Sequence, residues 1–153
     1  MKLSEDIYLV ADGMIGLSNP HDCHVYIVDC GTEKIMIDVG GGIEPEEIVK
    51  NIKNDNIDLN TITKIILTHA HADHADYISF LNENIPLYMG DTCKLLIEAI
   101  EGRTARSFER EILSFKPRPL VRGDEPIERT VNTFRPGDKF KIGSLEVEPI
   151  HVD

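Results

Sequence analysis

Residues 65 to 75 read Ile-Ile-Leu-Thr-His-Ala-His-Ala-Asp-His-Ala. Three imidazoles and a carboxylate, His69, His71, Asp73 and His74, thus follow directly on an apolar run. These residue types at this density are metal-ligand chemistry. A helix would send residues i and i+2 to nearly opposite sides. An extended or looping segment at a strand end puts His69 and His71 on one side, and a turn brings Asp73 and His74 to a neighbouring point. Neutral imidazole nitrogens and a carboxylate oxygen suit zinc first, and tolerate iron or manganese. The plainer alternative, a solvated polar loop that happens to hold histidines, is disfavoured by the spacing and by the Ile-Ile-Leu run before it.

The elements that must position these residues are legible in outline. Ile7 to Ala11 reads as a first strand, broken by Asp12-Gly13 and by Ser18-Asn19-Pro20. Cys23 to Cys30 alternates and is β-rich. Gly31-Thr32-Glu33 turns the chain into a return strand, Lys34 to Val39, which Gly40-Gly41-Gly42 ends. Pro45 sits at a favoured helix start, with Glu46 and Glu47 in the first turn and Ile48 and Ile52 at helical spacing. A polar loop, Asn54 to Asn60, leads to the strand Thr63 to Leu67, which delivers the histidines. Ala75 to Asn82 reads as helix, Pro86 to Met89 as a short strand and Asp91 to Glu101 as an amphipathic helix. Ser107 to Thr130, rich in proline and arginine, reads as a helical piece around Phe108 to Phe115 and then a connector. Val131 to Phe134 is a strand, and Phe140 to Val152 holds two strands around Gly143-Ser144.

Thr-His-Ala-His-Ala-Asp-His, residues 68 to 74, resembles the signature of the metallo-β-lactamase superfamily. The resemblance implies that His69 and His71 sit on one metal, Asp73 and His74 on a second, and that the cofactors are two divalent ions, zinc first. It implies an αββα sandwich, an α/β (α+β) fold with two face-to-face sheets, helices outside and metals at the strand ends. It also implies that Asp38, in Ile-Asp-Val-Gly-Gly-Gly, lies behind the ligands, where a buried carboxylate accepts hydrogen bonds and orients one of them. The other reading of Asp38 is a strand-end carboxylate bonded to the turn backbone, and the two are compatible. The glycines are not a phosphate loop, since no G-x-x-x-x-G-K follows.

Residues 106 to 119, Arg-Ser-Phe-Glu-Arg-Glu-Ile-Leu-Ser-Phe-Lys-Pro-Arg-Pro, and the closing Glu-Pro-Ile-His-Val-Asp look like ribonuclease J-like proteins. The implied activity is metal-dependent hydrolysis, an RNA phosphodiesterase first, in which Asp73 holds a metal and steers the attacking water. The N-terminal hairpin fits a glyoxalase II-like thioester or lactone hydrolase equally well. A non-catalytic metal-binding module is the alternative of another class. His151 follows a late strand as a metal-ligating histidine of the family does, but in the ribonuclease J-like register it would be a neighbour of the ligand. His24 alternates with Tyr26 and is read as inward-facing. Neither it nor His21 is expected to touch a metal.

The family's second half supplies a bridging aspartate and a last histidine, and nothing after His74 offers both. The expectation is one incomplete domain, 1–153, the N-terminal half of the sandwich and inactive alone. The apolar residues Ile7, Leu9, Val25, Ile27, Ile35, Ile37, Ile65 and Leu67 then predict an uncovered sheet face, to be covered by a second copy in a homo-oligomer or by residues outside this sequence.

Composition sets the outer limits. A chain of 153 residues, 41% hydrophobic and 28% charged, suits one domain with a real core. It has no apolar run of membrane-span length and no signal-like N-terminus, so a cytoplasmic protein without a membrane partner is expected. Cys23, Cys30 and Cys93 form no C-x-x-C pair and read as reduced core thiols. The net charge of −11 disfavours a generic nucleic-acid binder. Arg103 to Arg135, with seven Arg and one Lys against five acidic residues, carries +3 and leaves −14 elsewhere. That stretch is either a solvated connector or the rim for an anionic substrate such as RNA.

Overall fold

The computed structural model describes residues 1–76, 78, 81–82, 84–94, 121–122, 125–126 and 130–151. Its centre is a six-stranded sheet in the order β1-β2-β3-β4-β5-β8. The strands are β1 (Ile7–Ala11), β2 (Val25–Asp29), β3 (Lys34–Ile37), β4 (Ile62–Leu67), β5 (Leu87–Gly90) and β8 (Val131–Phe134). β1, β2 and β3 are successively antiparallel, whereas β3, β4, β5 and β8 run parallel. A two-stranded pair, β6 (Val121–Arg122) and β7 (Glu125–Pro126), and a hairpin, β9 (Phe140–Ile142) with β10 (Leu145–Val147), lie outside the sheet. The mixed α/β class is as the sequence reads.

This strand order gathers distant segments on one edge. The carboxyl ends of β3 and β4 lie side by side because the strands are parallel in register, Met36 opposite Ile65 and Ile37 opposite Ile66. The start of β2 and the end of β1 lie on the same edge because β2 runs antiparallel to both β1 and β3. Residues 12–24, Asp38 and the His69–His74 motif therefore meet there. The crevice outside the carboxyl ends of parallel strands is where open α/β sheets bind ligands.

Helix α1 (Pro45–Asn54) covers one face. Pro45 opens it, where its missing N–H costs nothing, and Glu46 and Glu47 face the positive end of the helix dipole. Ile48 and Ile52, four apart and fully buried, pack on Val25, Ile27, Met36, Ile65 and Leu67. Each such side chain contributes about 1.5–3 kcal/mol on burial. On the opposite face the β9–β10 hairpin folds back, and Ile142 packs with Cys30 and Ile35 against Val28, Ile66, Phe140 and Val147. Gly143 allows this approach, since a Cβ there would meet the Cys30 carbonyl oxygen at 2.3 Å.

Several expectations need correction. β2 is shorter than Cys23 to Cys30, and β3 stops at Ile37 rather than Val39 because Asp38 turns left-handed, with φ 55°. The helix placed at Ala75 to Asn82 begins earlier, as the short α2 (Ala72–Ala75), so Asp73 and His74 are helical. A single 3-10 turn, η1 (Leu59–Thr61), occupies part of the polar loop. Residues 91–94 are helical, while 95–101 and most of 107–130 lie outside the described residues. The uncovered sheet face is also not as expected. Val25, Ile27, Ile35, Ile65, Leu67 and Leu9 are buried by this chain alone; only Ile7, 38% exposed, is open, and Ile37 is half-buried. Alternation places Val25, Ile27, Ile65 and Leu67 under α1, while Ile35 is covered from the other face by Ile142 of the hairpin. No helix among the described residues is long and apolar enough to cross a membrane.

Candidate metal centre

β4 ends at Leu67, and the chain leaves it extended through His71 (φ −69°, ψ 148°) before α2 begins. The carbonyl of His71 accepts from the amides of His74 and Ala75, which folds the motif back on itself. His69 and His71 thus come from the segment between β4 and α2, and Asp73 and His74 from the first helical turn.

The foundation is Asp38, which is 3% exposed. Its left-handed backbone is one that Asp tolerates better than most side chains. Its carboxylate accepts from Thr68 N at 2.8 Å, Thr68 Oγ1 at 2.7 Å and His74 Nδ1 at 2.8 Å. The backbone is tied in as well, Asp38 N to Ile66 O at 2.8 Å and Val39 N to His74 O at 2.9 Å.

These bonds decide where the imidazole protons sit. The carboxylate only accepts, so His74 Nδ1 carries its proton and Nε2 keeps a lone pair. The Thr68 hydroxyl donates to Asp38, so it accepts from His69 Nδ1, 3.0 Å away. His69 Nε2 is then a lone-pair donor. One buried carboxylate orients two imidazoles, one directly and one through a threonine.

The donor atoms converge. His69 Nε2 lies 3.1 Å from His71 Nδ1, and His74 Nε2 lies 3.5 Å from Asp73 Oδ2. Two nitrogens sharing one zinc at about 2.0–2.1 Å stand about 3.3 Å apart, so the first spacing fits joint ligation. The His69 ring lies 4.6 Å from that of His71 and 3.9 Å from that of His74, centre to centre. Burial, then the proximity of His74 and His71, lowers the His69 pKa below its ordinary 6.5 and favours the neutral, ligating form. The residues present fit a divalent ion.

Other candidates fall elsewhere. His24 is exposed rather than inward-facing. It stacks on Tyr26 and its Nε2 lies 2.9 Å from Asp12 Oδ2, which anchors the β1–β2 loop. His21 and His151 are exposed. Cys23 was read as a plain core thiol, but its sulfur, Asp38 and His74 offer donor atoms that all lie within 4.8 Å of one another. The available signal was alternation, which puts Cys23 on the inward face with Val25 and Ile27. Burial, with Asp38 and Asp73 adding to it, pushes the Cys23 thiol up to about 12, and Gly40 N–H opposes that shift.

The chain is similar to known proteins. The family model described as metallo-beta-lactamase superfamily matches residues 18–75, which take in the second half of the β1–β2 loop, Asp38 and the whole motif. The chain is 31% identical over 119 residues to a lactamase-like protein, nscB, of Neosartorya fischeri, covering 69% of this chain and 35% of that protein. It is 30% identical to the nscB protein of Aspergillus fumigatus over the same length. It spans about a third of the length of these relatives. Among solved structures, a metallo-beta-lactamase motif mutant from Cronobacter sakazakii superposes with a TM-score of 0.69 at 16% identity, over 98% of this chain and 52% of that one. The B3 enzyme BJP-1 of Bradyrhizobium japonicum gives 0.66 at 20% identity, over 97% and 49%. At these identities the structures speak for the fold, and the sheet, α1 and β9–β10 correspond to about half of it. The match over residues 18–75 and the lactamase-like relatives make this chain similar to the metallo-beta-lactamase superfamily over that stretch, and the solved structures share its fold.

Proposed function

We propose that this chain supplies the metal-binding half of a metal-dependent hydrolase. His69 and His71 hold one divalent ion, zinc first, and Asp73 and His74 take part in holding a second. The observation that carries the reading is the Asp38–Thr68 network, which leaves His69 Nε2 and His74 Nε2 as lone-pair donors on one edge of the sheet. A bound ion supplies Lewis acidity and brings the pKa of a water near neutrality. Asp73 is half exposed at its side chain, so its carboxylate can accept the proton of the attacking water. Asp38 keeps His74 Nδ1 protonated and the ring fixed. Thr68 does the same for His69.

The bond attacked is a carbonyl one in the first reading, an ester, thioester or lactam. The lactamase-like relatives support it, and the net charge of −11 weighs against a polyanionic substrate. An RNA phosphodiester is the second reading, favoured by the +3 stretch from Arg103 to Arg135, which lies largely outside the described residues. A zinc titration of the full chain, followed by assays on a β-lactam, a thioester, a lactone and a phosphodiester, tests both. Zinc binding lost in His71→Ala supports the metal assignment. Turnover restricted to the phosphodiester would replace the carbonyl reading. Absence of zinc binding would end the proposal.

A further inference from the structure

A second pairing of a buried carboxylate with an imidazole, Asp12 with His24, lies on this edge, and the proposed reaction does not use it. Asp12 follows β1 and is 3% exposed. Its Oδ1 accepts from Met14 N at 2.8 Å and Ile15 N at 3.3 Å, and its Oδ2 lies 2.9 Å from His24 Nε2. The carboxylate only accepts, so Nε2 carries the imidazole proton and Nδ1 holds a lone pair. The ring also stacks on Tyr26, with 9° between the planes. The His24 side chain is nonetheless 51% exposed, against 4% for Asp12, and its Nδ1 has no partner among the described residues.

The β1–β2 loop is closed without this imidazole. Asp12 O accepts from Leu17 N at 3.0 Å, Asp12 N donates to Ser18 Oγ at 3.1 Å, and Asn51 Nδ2 of α1 donates to Leu17 O at 2.8 Å. A half-exposed pair adds little to a turn already held this way. The loop therefore orients the ring more than the ring holds the loop. An exposed side chain fixed in one orientation and one tautomer is preorganised for binding.

The pair is also joined to the metal centre. The peptide unit between Asp22 and Cys23 accepts from Gly13 N at 3.2 Å through its carbonyl and donates to Asp73 O at 3.3 Å through its N–H. His24 is the next residue along the chain. Val25 beside it points into the core, so His24 shares the other face with Tyr26.

We propose that His24 is a specificity-determining residue of this edge: its Nδ1 accepts a hydrogen bond from an N–H or O–H of the substrate, a few bonds from the carbonyl that is attacked. For the reaction, the inference rests on the hydrolase reading; for the residue, it rests on the Asp12–His24 geometry. The substrates selected are esters, thioesters or lactams whose acyl part carries a hydroxyl or an amide N–H, over those with a plain acyl chain. A site that offers an acceptor discriminates against a ligand lacking the donor. The ring is half exposed, so water replaces a missing donor and the discrimination is modest.

The test compares binding of butyrate, 3-hydroxybutyrate and 4-hydroxybutyrate, acids of the kind such substrates release, to the full chain with zinc added. Calorimetry is expected to show roughly 5–10-fold tighter binding of at least one hydroxy acid than of butyrate. That acid shifts the His24 Nδ1 resonance in nitrogen-15 NMR, and butyrate does not. His24→Phe abolishes the preference, His24→Gln, which keeps an acceptor, restores part of it, and zinc affinity is the same in both. Equal binding of the three acids, no binding, or a preference that survives in His24→Phe overturns the proposal. A loss of stability with the preference intact overturns it too, by making His24 a loop anchor alone. Should His24→Phe not fold, the Nδ1 resonance of the unaltered chain decides, and an unmoved resonance rejects the contact. Zinc titration and hydrolysis assays judge the hydrolase reading separately: the preference is measured without turnover, and its absence leaves zinc binding and turnover as they stand.

Discussion

Strands β3 and β4 carry a carboxylate at each end, and the two are treated in opposite ways. At the start of β3, Glu33 accepts from Lys64 Nζ, from Thr63 Oγ1 at 3.3 Å and from Gly143 N at 2.9 Å. At its end, Asp38 accepts from Thr68 N, Thr68 Oγ1 and His74 Nδ1. The bond counts are alike, but among the described residues only Glu33 has a permanent cation. Asp38 is the more buried and has only neutral donors and an imidazole. A structural carboxylate brings its own countercharge, as Glu33 does with Lys64. A carboxylate at a metal centre would leave the positive charge to be supplied from outside, and under the proposed function that is the state of Asp38, which has no Lys or Arg partner among the described residues.

The most direct way to break this contrast is at the lone-pair donors. His71 is exposed and packs little, so His71→Ala is expected to leave the thermal midpoint nearly unchanged while zinc affinity falls by more than about 100-fold, beyond the ~10–100-fold usual for an orienting partner. Calorimetric titration reads both sides. Equal affinity in the variant would remove His71 from the metal centre. Asp38→Asn sharpens the comparison next, since asparagine tolerates the left-handed backbone and keeps one acceptor. It can no longer hold the His74 and Thr68 protons together. Zinc affinity is expected to drop ~10–100-fold, with roughly 1–3 kcal/mol of stability lost by denaturant unfolding.

The two ends also differ in how well the sequence announces them. The motif could be read because its ligands lie close together in the chain, and β4 before it because Ile65-Ile66-Leu67 is a continuous apolar run, although the strand begins at Ile62 rather than Thr63. Helix α1 was plain from Pro45, its glutamates and the Ile48–Ile52 pair. The turn at Asp38 was not, because a left-handed aspartate leaves no local mark, although the following glycines hinted at one. Cys23 was missed because its partners lie far along the chain, at 38 and 74. The Glu33 clamp was missed for the same reason: Gly143 is 110 positions away, and nothing near either residue implies the other. Alternation and capping are local signals, whereas the side-chain bonds that fix the site are contacts between segments.

Acid should act on the metal end before the clamp. Burial holds the His69 pKa below 6.5, with His74 and His71 adding to it, so the folded chain binds fewer protons than the unfolded one in the window just below 6.5. Stability is then complete above 6.5 and declines as pH falls through the lowered folded value. Thermal midpoints of the metal-free chain, measured across that window, are expected to rise with pH and to flatten in His69→Gln. A slope unchanged in the variant would assign the effect to another group.

The clamp responds at lower pH and more weakly. Lys64, by hydrogen bond and charge, with Gly143 N–H and Thr63, lowers the Glu33 pKa below its ordinary 4.5. Its contribution is therefore present above 4.5 and is lost as pH falls through the depressed folded value. The Glu33 side chain is partly exposed, so solvent screens the pair and the effect is a modest one. Glu33→Gln keeps an acceptor for Gly143 N but gives up the ion pair. A small fall in thermal midpoint is expected, fading in high salt, with zinc affinity unchanged because the substitution lies at the far end of β3. If zinc affinity falls along with stability, the two ends of the strand pair are coupled, and the division into a self-neutralised clamp and a cation-seeking centre no longer holds.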